Sequence, residues 1–281
     1  MKYILTNITV TNDSVLENKI TEILKRIPYA SKKNNKQTKV CEFDYVLFPI
    51  DETVISEFDD VKGFITSHCG GIDYDNAIKD SDMLFGFQAL YDSFAPLANK
   101  SFTMQIVKIV DSTELSLFYT DGSSSPKVDK CGFATIQINK EIPEDKLTEN
   151  LDEDIYYELL TKSHYTIIAK SGSVDNGTNN IGELTGVKVA VENMTNKTYQ
   201  VIISDSEYAL KSYREWIHTW KANGYKTAAK KEISNKDIIT ATQSLIEKSG
   251  KIYLFQWVKG HNDLELNDMC DMLAKKEIGL L

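Results

Sequence analysis

The chain has few of the residues and patterns that mark several protein classes. Five prolines and 14 glycines among 281 residues exclude a collagen-like or low-complexity chain. Long apolar runs are missing, since no window approaches the roughly 18 uninterrupted apolar residues of a membrane-spanning helix. The opening segment MKYILTNITVTN has polar residues where a secretory signal carries its apolar stretch, so a cytoplasmic or nucleoplasmic address is expected. Cysteine is sparse as well. Cys41, Cys69, Cys131 and Cys270 are scattered with no C-x-x-C spacing, which indicates neither a zinc site nor a disulfide framework and leaves buried free thiols as the expectation. Net positive charge is also lacking. A net charge of −9 argues against a protein that coats nucleic acid through bulk charge.

What is present describes an ordinary globular chain, with 42% hydrophobic and 26% charged residues. Its length exceeds one modal domain of about 100–150 residues, and a division into residues 1–110 and 111–281 is expected, with the boundary near Asp111–Glu114. The first part carries 12 basic and 15 acidic side chains and the second 20 and 26. Within the second, 141–158 holds eight acids against Lys146, while 211–236 holds seven bases against Glu215 and Glu232. That basic island in an acidic chain is a candidate contact for a polyanion, with a solvated helix face as the alternative.

Periodicity supplies the elements. A β-rich start at 2–10 precedes VLENKITEILKRI, whose Leu16, Ile20, Ile23, Leu24 and Ile27 recur at helical spacing. SKKNNKQTK at 31–39 reads as a loop, 40–50 as an apolar strand and 102–110 as another strand, making the first part an α/β or α+β unit. In the second part LSLFYT at 115–120 alternates like a half-buried strand and meets the turn dipeptide Asp121-Gly122. GFATIQIN then returns as a strand. The acidic stretch 141–158 is an inserted loop or short helix, and SHYTIIAKSGS is a third antiparallel strand. NIGELTGVKVAVENM places Leu184, Val187, Val191 and Met194 on one helical face, with Glu183 in the first turn. YQVIIS is an apolar strand ending at Asp205, and the helix EYALKSYREWIHTWKANG stops at Gly224. Ser234 and Asp237 form a capping-box-like start for the next helix, ended by Gly250, before the strand KIYLFQWV and the helix ELNDMCDMLAKKEI. The order β-β-β-α-β-α-α-β-α predicts a mixed sheet with helices on its faces.

Asp121, Glu183, Asp205 and Asp271 stand at or near the ends of these elements. Groups at the ends of adjacent strands meet in the crevice beyond the sheet edge, so four carboxylates can converge there. Such a cluster repels itself unless cations neutralise it, and hard oxygen ligands suit Mg²⁺ or Mn²⁺. Two such ions about 3.5–4 Å apart can activate water and stabilise the leaving oxygen of a phosphodiester. Any one of these acids alone is equally a cap or turn residue.

The segments YTDGSS, TNNIGEL, SDSEYAL and WVKGHNDLELNDMCDMLA, in this order and at these separations, closely resemble the four active-site motifs of type 1 ribonuclease H. EWIHTWKANGYKTAAKK is similar to the basic protrusion of many bacterial members, and the likeness covers roughly 115–278. The resemblance implies a ribonuclease H-like five-stranded mixed sheet flanked by helices, with hydrolysis of the RNA strand of RNA–DNA hybrids assisted by two Mg²⁺ ions, or Mn²⁺. Carried over residue by residue, it makes Asp121, Glu183, Asp205 and Asp271 the metal-binding acids. It makes His261 the mobile-loop histidine, suited to shuttling a proton near neutrality. Asn179 and Asn180 match the asparagine pair that contacts 2′-hydroxyls, and amides both donate and accept as a hydroxyl requires. Thr178 matches a phosphate-contacting threonine, and Gly122 and Ser123 follow the first aspartate within its motif. Trp216 and Trp220 share a helix face, where they pack on the core, the handle or sugar rings. Lys221, Lys226, Lys230 and Lys231 supply charge for DNA-strand phosphates. Asn180 also reads as the cap of the helix that follows.

The chain departs from the family pattern in places. SSPKVDKCG replaces the usual glycine- and proline-rich loop after the first aspartate, and Glu207 stands where bacterial members carry glutamine. Asp263 and Glu265 make the His261 loop acidic. The insertion 141–165 has no counterpart, and its charge predicts that it points away from a bound hybrid. Two other readings compete: a resolvase- or transposase-like nuclease of the same fold, or a hybrid-binding module without turnover. For residues 1–110, the alternatives are a protein-interaction or self-association domain and a remnant of a larger nucleic-acid enzyme.

Overall fold

The computed structural model describes residues 2–50, 102–139, 166–227, 229–260 and 265–281. Cys69, the insertion 141–165, His261 and Asp263 lie outside the described residues. The chain divides into two compact units, Met1–Glu114 with Leu254–Gln256, and Leu115–Tyr253 with Trp257–Leu281.

In the first unit, strands β1 (Lys2–Thr11), β2 (Ser31–Asn35), β3 (Val40–Ile50) and β4 (Phe102–Asp111) form an antiparallel sheet in the order β2-β3-β1-β4. Helix α1 (Ser14–Ile23) starts at Asp13, whose side chain accepts a hydrogen bond from the Leu16 amide at 2.9 Å. Its Leu16 and Ile20, with Leu24 just beyond, are buried as the helical spacing requires. The segment expected to be a loop at 31–39 is instead a strand followed by a turn. Its partner decides this: Ser31 to Asn35 pair in register with Asp44 to Val40, and the Asn35 side chain accepts from the Gln37 and Thr38 amides to close the turn. Lys32 holds its ammonium over the Phe43 ring and pairs with Glu17 at 3.1 Å, so a polar edge strand gains the contacts that its β propensity does not supply.

The second unit contains β5 (Leu115–Ser124), β6 (Lys130–Asn139), β7 (Thr166–Asp175), α2 (Asn179–Glu192) and β8 (Tyr199–Ser204). Next comes α3, running from Glu207–Lys211 through a π turn at Ser212–Trp216 into Ile217–Ala222. Helix α4 (Lys236–Ser249), β9 (Ile252–Trp257), whose Leu254–Gln256 are counted with the first unit, and α5 (Glu265–Lys276) follow. The five strands are ordered β7-β6-β5-β8-β9, with β7, β6 and β5 antiparallel and β5 parallel to β8. This is the expected mixed five-stranded sheet with flanking helices. Among the described residues no helix is long and apolar enough to cross a membrane. Among the described residues Cys41, Cys131 and Cys270 are buried and in no disulfide.

Local expectations need correction at four places. Asp121-Gly122 is not a turn: β5 continues to Ser124, pairing with β6 as far as Cys131, while its parallel ladder with β8 stops at Tyr119 opposite Ile203. Helix α2 is capped by Thr178, whose hydroxyl accepts from the Ile181 amide, and not by Asn180. It ends at Glu192, so Met194 is off the helical face and 39% exposed, its sulfur accepting from the Tyr253 hydroxyl. Ser234 does not cap α4. Asn235 takes that place in a left-handed conformation (φ 57°), which asparagine tolerates, and its side chain is diverted to the Tyr208 hydroxyl at 3.1 Å.

Helices α2 and α5 lie on opposite faces of β5 and β6. On one face Ala134, Ile136, Met269, Cys270 and Ala274 form a buried cluster flanked by Tyr119; on the other, the Thr135 hydroxyl donates to the Gly186 carbonyl at 2.8 Å. A Cβ on Gly132 would stand 1.9 Å from the Ala274 carbonyl oxygen, so α5 sits directly on that backbone. Gly132→Ala is therefore expected to lift α5 and to cost at least about 1–3 kcal/mol. A drop of that size in unfolding free energy, measured by urea denaturation, checks this.

Candidate active site

The sheet places three acids together at one end. Asp121 lies on β5 just past the point where β8 stops, Asp205 directly follows β8, and Glu183 is on the second turn of α2, not the first as expected, because the helix begins at Asn179. Each offers a carboxylate oxygen within 4.8 Å of the other two. Asp121 and Glu183 are only 5% and 6% exposed, so the repulsion is poorly screened by water.

Backbone contact brings these elements so close. A Cβ on Gly122 would fall 2.2 Å from the Glu183 amide nitrogen, and one on Gly182 would fall 2.5 Å from the Gly132 carbonyl oxygen. With glycine there, α2 lies against β5, and Glu183 reaches Asp121. Gly122 thus has a packing role beside the place that the motif gives it, and its amide donates to Asp121 Oδ1 at 2.7 Å. Asp205 is fixed through its backbone, whose carbonyl accepts from Trp257 Nε1 at 2.8 Å. A Cβ on Gly260 would meet Asp205 Oδ2 at 2.3 Å, so only glycine passes that carboxylate without displacing it.

The electrostatics follow from burial. Desolvation, then the charge of Asp205, pushes Asp121 well above the ordinary carboxylate range. Desolvation, then the charges of Asp121 and Asp205, does the same to Glu183. Burial also raises the Cys270 thiol, with the charge of Asp121 adding to the effect, and its Sγ donates to the Tyr119 carbonyl. Glu183 Oε1 accepts from Asn179 Nδ2 at 3.3 Å, whereas its buried Oε2 has no hydrogen-bond partner. An oxygen-only set of crowded carboxylates with an unsatisfied buried oxygen fits a hard divalent cation. It is a single cluster able to hold one metal ion.

Asp271 is outside that group of three. It lies on α5 close enough for its charge to act on Asp121, but its Oδ2 accepts from Lys275 one turn along the helix, at 2.5 Å. Lys275 and Gly260 were not singled out in the sequence. The spacing of four between Asp271 and Lys275 carries a signal for the first, while the close approach of Gly260 to Asp205 has none.

The remaining candidates lie outside the group of three acids. Ser123 is buried, while Thr178, Asn179 and Asn180 are exposed at the start of α2. Trp216 is 37% exposed and lies between Tyr208 and Trp220, with ring centroids 5.9 and 5.5 Å away. Lys221 pairs with Glu247, and Glu207 with Lys211 at 2.5 Å, while Lys226, Lys230 and Lys231 are exposed. The pairing of Glu207 removes part of the negative charge expected there.

A family model described as RNase H matches residues 113–279. "Ribonuclease H" of Treponema pallidum is 40% identical over 107 residues, which are 37% of this chain and 62% of that protein. "Ribonuclease H" of Francisella philomiragia is 39% identical over 111 residues, 40% of this chain and 72% of that one. The chain thus matches under two thirds of the length of the Treponema relative. A crystal structure of LC9-RNase H1, described as a type 1 RNase H with the type 2 active-site motif, aligns with TM-score 0.44 and 19% identity over 59% of this chain and 72% of its own.

The raised carboxylates set a pH dependence. An acid whose folded-state proton affinity exceeds its unfolded one ionises first in the unfolded chain, so stability falls as pH rises from the ordinary carboxylate range through neutrality. Without metal, the melting temperature is expected to fall between about pH 5 and about pH 8. The gain on adding Mg²⁺ should grow over the same interval, because ligands must lose their protons to bind. Differential scanning fluorimetry in EDTA and in Mg²⁺ measures both, and a gain independent of pH counts against the cluster as the cation site.

Proposed function

The chain belongs to the ribonuclease H family, and from that premise we propose that it hydrolyses the RNA strand of RNA–DNA hybrids, leaving a 3′-hydroxyl and a 5′-phosphate. The observation that carries this reading is the group of Asp121 and Glu183, both buried, with half-buried Asp205, and with Asp271 beside it, inside the matched segment. These four acids would hold two divalent ions, Mg²⁺ or Mn²⁺. When bound, such a pair supplies an activated water and charge stabilisation for the leaving oxygen.

The chain's own residues then bind, orient and move protons. Asn179 and Asn180, exposed at the start of α2, can donate to and accept from 2′-hydroxyls across the minor groove, which separates RNA from DNA. Thr178, at the same helix start, can take a phosphate, as can the amides that follow it. The phosphorus–O3′ bond breaks as a water oxygen bonds to phosphorus, and the departing 3′-oxygen takes a proton. His261 is the group in the motif able to deliver or relay that proton near neutral pH. Lys226, Lys230 and Lys231, with Lys221, Trp216 and Trp220, would track the DNA strand. We assign catalysis to residues 111–281, and to residues 1–110 a protein-contact role, self-association included, because their net negative charge fits nucleic-acid contact poorly.

Labelled RNA–DNA hybrid, duplex RNA and duplex DNA, each with Mg²⁺ or Mn²⁺, provide the test. The native chain should cut the hybrid alone. Asp121→Asn keeps the shape but removes one ligand charge, and several kcal/mol of lost stabilisation corresponds to a rate lower by at least about 10³-fold. Binding of hybrid without cleavage would favour the binding module, and cleavage of duplex DNA would favour a resolvase-like enzyme. Lys226→Ala should weaken hybrid binding and reduce the slope of log affinity against log salt by about 1, as measured by fluorescence anisotropy.

A further inference from the structure

Asp271 stands apart from the three grouped acids, and the group that engages it is on its own helix. Lys275 donates Nζ to Asp271 Oδ2, the two side chains being 34% and 20% exposed. An acid followed by a base four residues later is the favoured order on a helix, and on an open surface such a pair has little effect. Here its surroundings differ. The charge of Lys275 also reaches Asp121, as does that of Asp271, so one ammonium serves two carboxylates of a mutually repelling set.

We propose that Lys275 is a resident counter-charge of the carboxylate cluster, and that it competes for Asp271 with a divalent ion that Asp271 would help to hold. An ammonium at hydrogen-bond distance occupies one of the two Asp271 oxygens and repels an approaching dication, so the ion has to displace it. Lys275 therefore weakens an ion on Asp271 more than one held among Asp121, Glu183 and Asp205. Lys275 acts through Asp271 and is a positioning residue. This inference rests on the two-ion reading above.

Titration of the full-length chain with Mn²⁺ in the absence of nucleic acid, followed by isothermal calorimetry and by the electron paramagnetic resonance of free Mn²⁺, tests it. The native chain should bind in two classes. Lys275→Gln should tighten the weaker class by about three- to tenfold and leave the tighter class nearly unchanged, while Lys275→Arg behaves like the native chain. Lys275→Met, which keeps the apolar stem, serves in place of Lys275→Gln should that variant not fold. The half-saturating Mg²⁺ concentration for hybrid cleavage should fall in step with the weaker class. A weaker class that ignores loss of the ammonium, an equal tightening of both classes, or a single class in the native chain would each overturn the proposal. The underlying reading fails differently, through Mn²⁺ binding insensitive to Asp121→Asn or an absence of hybrid cleavage.

Discussion

Mutual repulsion among buried carboxylates is the constraint on which the architecture of the second unit turns. Asp121, Glu183 and Asp205 bring carboxylates within 4.8 Å of one another, and around the first two water is largely excluded. No folding interaction gains from that arrangement. It persists because β5, α2 and β8 are fixed by contacts elsewhere: the five-stranded ladder, the buried cluster under α5, and the bond from Thr135 to the Gly186 carbonyl. The acids are thus imposed by a scaffold that is satisfied without them. This is the usual relation between a rigid fold and a strained functional site.

Glycine is how the scaffold imposes them. Gly122, Gly182 and Gly132 lie where β5, α2, β6 and α5 meet, and each would collide with a neighbouring backbone if it carried a side chain. The glycine beside the first aspartate therefore acts through packing: it lets α2 approach until Glu183 reaches the strand. Gly260 makes the corresponding allowance for Asp205. The acids supply chemistry, but these small residues set the distances at which it operates.

Much of this was legible in the sequence, and the misses share a cause. The order of strands and helices in the second unit, the basic island and the acids could be read from periodicity, charge and motif. Asp121-Gly122 was read as a turn because the dipeptide favours one, but ladder bonding to β6 outweighs that local preference. The polar segment at 31–35 was read as a loop for a similar reason: its strand state comes from pairing with β3 and from Lys32 lying on Phe43 and Glu17. The cap position falls on Asn235 and not Ser234, and the Asn235 side chain goes to Tyr208 instead of to the helix amides. In each case a partner distant in sequence decided the outcome, and local propensity carries no record of that partner. The acids were legible one by one, whereas the setting apart of Asp271 by Lys275 depends on which of two neighbours its carboxylate faces.

The charge pattern of the whole chain follows from the same constraint. A net charge of −9 would repel a polyanion if charge were spread evenly. Screening confines each surface charge to about a Debye length, roughly 8–10 Å, so a phosphate responds to the patch it meets rather than to the total. On α3 and beyond it, Glu207 is taken by Lys211, Glu232 by Lys236 and Glu247 by Lys221, while Lys226, Lys230 and Lys231 remain exposed on one short segment. Acids near the island thus have bases as partners, and that segment presents cationic groups. The catalytic end works the other way. Its crowded carboxylates ionise fully only where cations offset their charge, so cation loading fixes the charge that an approaching phosphate meets.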